Sequence, residues 1–130
     1  MIVVDASAIL EVLLGTLRGA RVEARLFERG ETLHAPHLLD LEVAQVLRRY
    51  AAAREVTRQR SWEALDDLLA VPLTRYPHDV FLPRIWTFRQ TVTADDTAYL
   101  ALAEALDAPL VTCDRHLATV AGHHATVEVV

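Results

Sequence analysis

The chain opens on Ile2-Val3-Val4, a short β-branched apolar run that meets Asp5 and Ser7, the pattern of a buried strand leading into a loop and a helix. Helical spacing follows from Ala8 to Leu14, up to Gly15. It resumes from Thr16 to Arg29, where Leu17, Ala20, Ala24 and Phe27 recur before Gly30 stops the run. These two segments predict a helical hairpin. Leu33 to Ala35 predicts a short strand closed by Pro36. A long helix is expected over Leu38 to Arg54, with Leu39, Val43, Val46, Leu47 and Tyr50 on its apolar side.

In the second half, Thr57 is placed to cap a helix reaching about Leu69, with Trp62, Leu65, Leu68 and Leu69 on one side, and Val71 to Leu73 predicts a strand. Further helices are expected over Val80 to Arg89, Thr93 to Leu106 and Arg115 to Val120, with strands over Leu110 to Thr112 and Thr126 to Val130. No repeat, linker or low-complexity tract interrupts the alternation. Strands alternating with helices imply an α/β layer structure around a largely parallel sheet, buried on both faces.

Composition narrows the picture. With 130 residues, 52% of them hydrophobic and 24% charged, the chain is expected to form one domain, residues 1–130, with its own core. The net charge of -5, from 18 acidic against 13 basic residues, excludes a globally basic nucleic-acid binder. A polyanion partner would need local help, such as metal ions. All the basic residues are arginine. The single Cys113 excludes a disulfide framework and a cysteine-built zinc site, and favours a reducing compartment, with the cytoplasm as the expectation. The first residues carry no basic run and Glu11 breaks the next apolar stretch, so neither a signal peptide nor a membrane span is expected.

Ligands of open parallel sheets bind beyond the carboxyl ends of the strands, and two strands here end in an acid. Asp5 follows Ile2-Val3-Val4, and Asp114 follows Leu110-Val111-Thr112-Cys113. Each carboxylate also suits the cap of the next helix. Glu42 sits at the edge of an apolar helical stripe between Leu38 and Val46, where an acid needs a partner, either an arginine such as Arg49 or a ligand. Asp96 lies three residues after Thr93, the spacing of a capping box, and capping and ligation are both open to it. Carboxylates brought together raise one another's pKa. A hard divalent cation such as Mg²⁺ or Mn²⁺ relieves that repulsion through oxygen ligands and can activate water against a phosphodiester.

On the segments Ile2-Val3-Val4-Asp5-Ala6-Ser7-Ala8, Leu38 to Leu47 around Glu42, Thr93 to Ala103 around Asp96, and Leu110-Val111-Thr112-Cys113-Asp114-Arg115, the chain resembles a PIN-domain ribonuclease, and among these the VapC-type toxin of a VapBC toxin–antitoxin pair. The resemblance implies a three-layer α/β/α sandwich with a mostly parallel central sheet of about five strands. It implies that Asp5, Glu42, Asp96 and Asp114 form one acidic pocket that binds Mg²⁺, with Mn²⁺ able to substitute, and cleaves RNA. The first three acids are the family's usual ligands, and the fourth assists directly or through water. Asp95 competes with Asp96 for alignment with the family's aspartate. The same resemblance implies a homodimer and a cognate antitoxin whose C-terminal segment lies across the helices and blocks the pocket.

Several other residues have two readings. Ser7 and Thr112 offer hydroxyls to a water or a phosphate, against an N-cap role for Ser7 and an idle strand hydroxyl for Thr112. Arg115 is either an RNA contact or a surface ion pair. Cys113 reads as a small buried apolar residue, and His123-His124 as an exposed turn. Trp62, Trp86 and Phe88 fit either core packing or a protein interface. Two rival functions share the α/β pattern. A phosphoacceptor regulatory domain gathers acids in the same way, but uses a lysine this chain lacks; phosphatases and P-loop enzymes also rely on one. A catalytically silent PIN-like binding module would keep the fold without the activity.

Overall fold

Five short strands, β1 (Ile2–Val4), β2 (Leu33–Pro36), β3 (Leu73–Tyr76), β4 (Leu110–Thr112) and β5 (Val127–Val129), pair in the order β3-β2-β1-β4-β5 in a computed structural model describing residues 1–130. Every pairing is parallel, with Val3 and Val4 of β1 beside Leu110 and Val111 of β4. The helices are α1 (Ala6–Leu13), α2 (Leu17–Leu26), α3 (Leu38–Ala52), α4 (Arg58–Ala70), α5 (Leu82–Thr87), α6 (Ala94–Leu106) and α7 (Arg115–Thr119), with a 3₁₀ turn at Asp79–Phe81.

Topology decides which helix covers which face. The chain steps from β1 outward to β2 and β3, then returns past β1 to β4 and β5. Right-handed crossovers therefore put α1 to α4 on one face and α5 to α7 on the other, in agreement with the packing of α6 against β1, β2 and β4. The result is a three-layer α/β/α sandwich. Thr97 to Ala103 of α6 are all buried, as suits a helix held between the sheet and other elements. The central strands β1 and β4 are buried along their whole length.

Four expectations change. The α2 face is reversed: Val22, Leu26 and Gly19 are buried, whereas Leu17 is 91% exposed and Ala20, Ala24 and Phe27 also face outward. Gly19 explains the reversal, because a Cβ there would overlap the Glu11 carbonyl, so only glycine lets α2 press against α1. The third strand starts at Leu73 rather than Val71. Val71 ends α4 by giving its N–H to Asp67 and Leu68, and the strand begins after Pro72, in register with β2. The helix expected from Val80 begins at Leu82, after the 3₁₀ turn, with Pro83 in its first turn where a missing N–H costs nothing. Finally, Ser61, Ala64 and Leu68 carry the buried side of α4, while Trp62, Leu69 and Trp86 are exposed. Of the three aromatic residues singled out above, only Phe88 is packed inside.

Candidate active site

All strands point the same way, so every following helix starts at the same edge of the sheet. The strand order reverses between β1 and β4, and a crevice opens there beyond their carboxyl ends. Each of the four acids singled out from the sequence stands near the start of a helix at this edge. Asp5 is the N-cap of α1, Asp114 the N-cap of α7, Asp96 is in the first turn of α6 and Glu42 in the second turn of α3. The positive ends of four helix dipoles thus converge on four carboxylates.

Local hydrogen bonds hold this arrangement. Asp5, 5% exposed, accepts at Oδ1 from Ser7 Oγ at 2.7 Å and from the Ala8 N–H at 3.0 Å. Its Oδ2 accepts from Thr112 Oγ1 at 2.6 Å. The two hydroxyls also secure the next strand end, since Ser7 Oγ accepts from the Cys113 N–H at 3.0 Å and Thr112 Oγ1 from the Asp114 N–H at 2.9 Å. Ser7 is therefore not the N-cap of α1; Asp5 is, because its carboxylate reaches the Ala8 N–H three residues on. Asp114 caps α7 through the His116 N–H at 2.9 Å. Thr93 Oγ1 accepts the Asp96 N–H at 3.2 Å, the first half of the capping box.

A cavity of about 530 Å³ lies over these groups, and Asp5, Ser7, Glu42, Asp96 and Asp114 all line it. Asp96 lines it, whereas Asp95 is exposed and lies outside it. None of the four acids forms an ion pair; in particular, Glu42 is not bridged to Arg49. Its partner is instead Tyr99, whose hydroxyl donates to Glu42 Oε1 at 2.6 Å. Burial pushes the Asp5 carboxyl above the ordinary carboxylate range, against the pull of its three donors. Burial also raises Glu42 and Asp96. For Glu42 the charges of Asp95, Asp5 and Asp96 add to it while Tyr99 offsets part; for Asp96 the charge of Asp114 adds most.

The donor chemistry fits a hard divalent cation. It is all oxygen and anionic, burial raises Asp5, Glu42 and Asp96, and none of the four carboxylates is ion-paired to a protein cation. No three of the carboxylates close on one point at ligand distance. The site is an open cleft, not a cage, and Mg²⁺ suits such a site because it keeps several of its own waters.

Of the remaining candidates, Thr112, Arg115, His123 and His124 fall outside the cleft lining, and Cys113 lies on it. Thr112 is fully buried beneath it and serves Asp5 and Asp114. Arg115 is exposed and has no ion pair, which removes its surface-pair reading. Cys113 is half-buried on the cleft wall rather than in the core, with its thiol pushed up by burial. In the turn before β5, His123 is half-buried and accepts the Ala125 N–H at 3.1 Å, while His124 is exposed.

Two contributors carried no sequence signal of their own. Tyr99 read as part of an apolar run, and its partner lies 57 residues away. Arg18 lines the cleft and donates from Nε to a main-chain oxygen of Val130 at 2.8 Å and from Nη2 to the Cys113 carbonyl at 3.0 Å, tying the Asp114 loop to the end of β5. Carbonyl partners are invisible in a sequence.

An acid-lined cleft at the switch point of an all-parallel sheet, covered by helices on both faces, defines the class, and the chain belongs to the PIN domain family, whose family model matches residues 2–123. Within that family its kinship is with the VapC proteins. It is 42% identical over 130 residues to Ribonuclease VapC12 of Mycobacterium tuberculosis, across 100% of this chain and 99% of that one. Among solved structures it is similar to PAE2754 from Pyrobaculum aerophilum, with a TM-score of 0.71 and 25% identity, covering 98% of this chain and 83% of that one. VapBC2 from Rickettsia felis, solved bound to a DNA fragment from its promoter, shares the fold at a TM-score of 0.69 and 12% identity, covering 99% and 98%.

Proposed function

We propose that residues 1–130 act as a single-domain, metal-dependent endoribonuclease, the toxin of a toxin–antitoxin pair. The observation that carries this reading is the set of four carboxylates gathered at one cleft, none of them ion-paired to a protein cation. The ribonuclease name of a relative matched along its whole length supports it. Asp5, Glu42 and Asp96 would hold Mg²⁺, or Mn²⁺ in its place, with Asp114 assisting from the β4 side. A bound cation supplies Lewis acidity and positive charge to a phosphodiester under attack by water.

The chain's own groups do the rest. Ser7 and Thr112 fix both Asp5 oxygens and set the direction of the Asp114 loop, so their part is positioning. Tyr99 fixes one Glu42 oxygen and leaves the other for the cleft. Arg115, exposed beside Asp114, is placed to meet an RNA phosphate. The partners are RNA, a cognate antitoxin and a second copy of the chain, and the setting is the cytoplasm; no helix is long and apolar enough to cross a membrane. By occupying the cleft with a cation of its own, an antitoxin would compete with the metal, and each would weaken the other by the same factor.

The test is incubation of the purified chain, free of antitoxin, with total RNA in Mg²⁺ or in EDTA, followed by mapping of the new ends. Cleavage in Mg²⁺ that stops in EDTA and returns with Mn²⁺ is expected. Full cleavage in excess EDTA would overturn the metal requirement. No cleavage under any condition would leave the silent binding module as the better reading.

A further inference from the structure

Asp114 stands two residues beyond the end of β4 and is exposed at the cleft, so packing of its own side chain does not set its direction. Its Oδ1 accepts the His116 N–H, and its Oδ2 has no protein partner. Where that second oxygen faces is decided by the backbone that carries it.

That backbone is gripped by side chains from end to end. The Cys113 N–H donates to Ser7 Oγ at 3.0 Å, and the Asp114 N–H to Thr112 Oγ1 at 2.9 Å. Between them, the Cys113 carbonyl accepts from Arg18 Nη2 at 3.0 Å. One peptide unit is therefore held on both sides, by a hydroxyl at its N–H and a guanidinium at its carbonyl. Ser7 and Thr112 also bond Asp5, whereas Arg18 pairs with no acid, although it lines an acidic cleft.

The helix that carries Arg18 is itself fixed. Gly19 lets α2 press onto α1, and the residue before it then reaches the end of β4. The same guanidinium donates from Nε to a main-chain oxygen of Val130 at 2.8 Å, and the Val130 N–H donates to the Thr112 carbonyl at 2.9 Å. Arg18 thus closes a ring of bonds around the strand end. Two donors of one planar fork are engaged at once, which stops the group from turning.

We infer that Arg18 is a positioning residue of this site: by holding the Cys113 carbonyl, it fixes the direction in which Asp114 presents its free oxygen to the cleft. The inference rests on the metal-dependent reading above and gives a part in it to a residue that bonds no carboxylate. The sign of its effect separates this role from others. As a plain positive charge on the cleft wall, Arg18 would repel a cation, and its removal would tighten metal binding. As a positioning residue it does the reverse, because its removal loosens Asp114 and weakens the metal. A merely structural part would move the melting temperature and leave the metal affinity of the folded protein unchanged.

The experiment measures Mn²⁺ affinity of the full chain from the electron paramagnetic resonance signal of the free ion, which needs no RNA, alongside cleavage of total RNA by the unmutated chain. Arg18→Gln should weaken Mn²⁺ binding about tenfold. Asp114→Asn should weaken it too, and adding Arg18→Gln to Asp114→Asn should change the affinity by less than about twofold, since the group it positions is already gone. Arg18→Lys keeps the charge but not the fork, and should bind Mn²⁺ more weakly than the parent; it is read in place of Arg18→Gln if that protein fails to fold by circular dichroism. Parent-like or tighter binding by Arg18→Gln, parent-like binding by Arg18→Lys or Asp114→Asn, or the same loss from Arg18→Gln with and without the Asp114 carboxylate overturns the positioning role, even where the unmutated chain binds Mn²⁺ and cleaves RNA. If the unmutated chain neither binds Mn²⁺ nor cleaves, the metal-dependent reading falls and the role of Arg18 with it.

Discussion

Charge is treated in opposite ways at the two edges of the sheet. At the amino edge Glu31 and Glu128 are each paired with a cation. The Met1 ammonium meets Glu31 at 2.9 Å, Arg25 reaches the same Glu31 at 3.1 Å, and two nitrogens of Arg25 grip Glu128 of β5 at 2.7 and 3.1 Å. The Glu31 carboxyl is accordingly held below its usual range by the Met1 ammonium and Arg25. At the carboxyl edge, Asp5, Glu42 and Asp96 are raised by burial and by neighbouring acids, with no ion pair and only neutral hydrogen-bond donors, helix dipoles and, for Asp96, the nearby His116 to offset it. The first edge spends its charges on holding strands and helix together. The second keeps repulsion that folding alone would not favour, and so marks where the protein awaits a cation from outside.

The sharpest way to break this contrast is to remove a charge at the uncompensated edge. Asp5→Asn or Asp96→Asn should lower the initial rate of RNA cleavage about 10³-fold, the worth of a few kcal/mol of transition-state charge stabilisation. Asp95→Asn should leave the rate near that of the parent, since Asp95 is outside the cleft. Inactivation by Asp95→Asn with an unaffected Asp96→Asn would reverse the assignment. Next in size is Tyr99→Phe, which removes only the donor to Glu42. It should raise the Mg²⁺ needed for half-maximal rate about 10- to 100-fold, and an unmoved Mg²⁺ titration would strip Tyr99 of its positioning role.

At the compensated edge the outcome should be inverted. Arg25→Ala should cost about 1–2 kcal/mol of stability, because it leaves Glu31 and Glu128 without their shared guanidinium, yet cleavage measured well below the melting temperature should persist. Loss of activity in a folded Arg25→Ala protein would show that the edges are coupled. The smallest effect is on the pH profile of stability. Buried His34, between Thr32 and Tyr76, has its pKa lowered, so the unfolded chain takes the proton first and stability falls as pH drops below about 6.5. The raised acids act oppositely: the folded, metal-free protein takes their protons first, and stability grows as pH falls through their raised values towards the ordinary carboxylate range. Denaturant melts from pH 7 to 5 should therefore fall more steeply with Mg²⁺, which silences the acids, than without it. Parallel profiles would refute the opposition.

The two edges also differed in how far they were legible beforehand. Asp5 and Asp114 could be read because each ends a short apolar strand, and topology alone then brings them side by side. Asp96 could be read from its cap spacing after Thr93, and of the two neighbouring aspartates it is the one that lines the cleft. What could not be read depended on contact between distant segments. Tyr99 is indistinguishable from core until Glu42 comes within reach, and Arg18 acts through main-chain oxygens. The α2 face was misread for a related reason: periodicity marks apolar residues, whereas the buried side was chosen by Gly19, the one residue small enough to meet the Glu11 backbone. Trp62 and Trp86 show the same limit, because size and hydrophobicity did not put them inside.

The most direct test of the central claim is the melting temperature of the unmutated chain and of Asp96→Asn at pH 7, each with EDTA and with excess Mg²⁺. Metal-free Asp96→Asn should melt higher than the metal-free parent, by about 3 °C for each kcal/mol of repulsion removed. Mg²⁺ should stabilise the parent by about 2.7 kcal/mol at a hundred times its Kd, and Asp96→Asn by much less. A parent indifferent to Mg²⁺, or an Asp96→Asn protein that melts lower in EDTA, would contradict the account of the cleft as a repulsive site built for a cation.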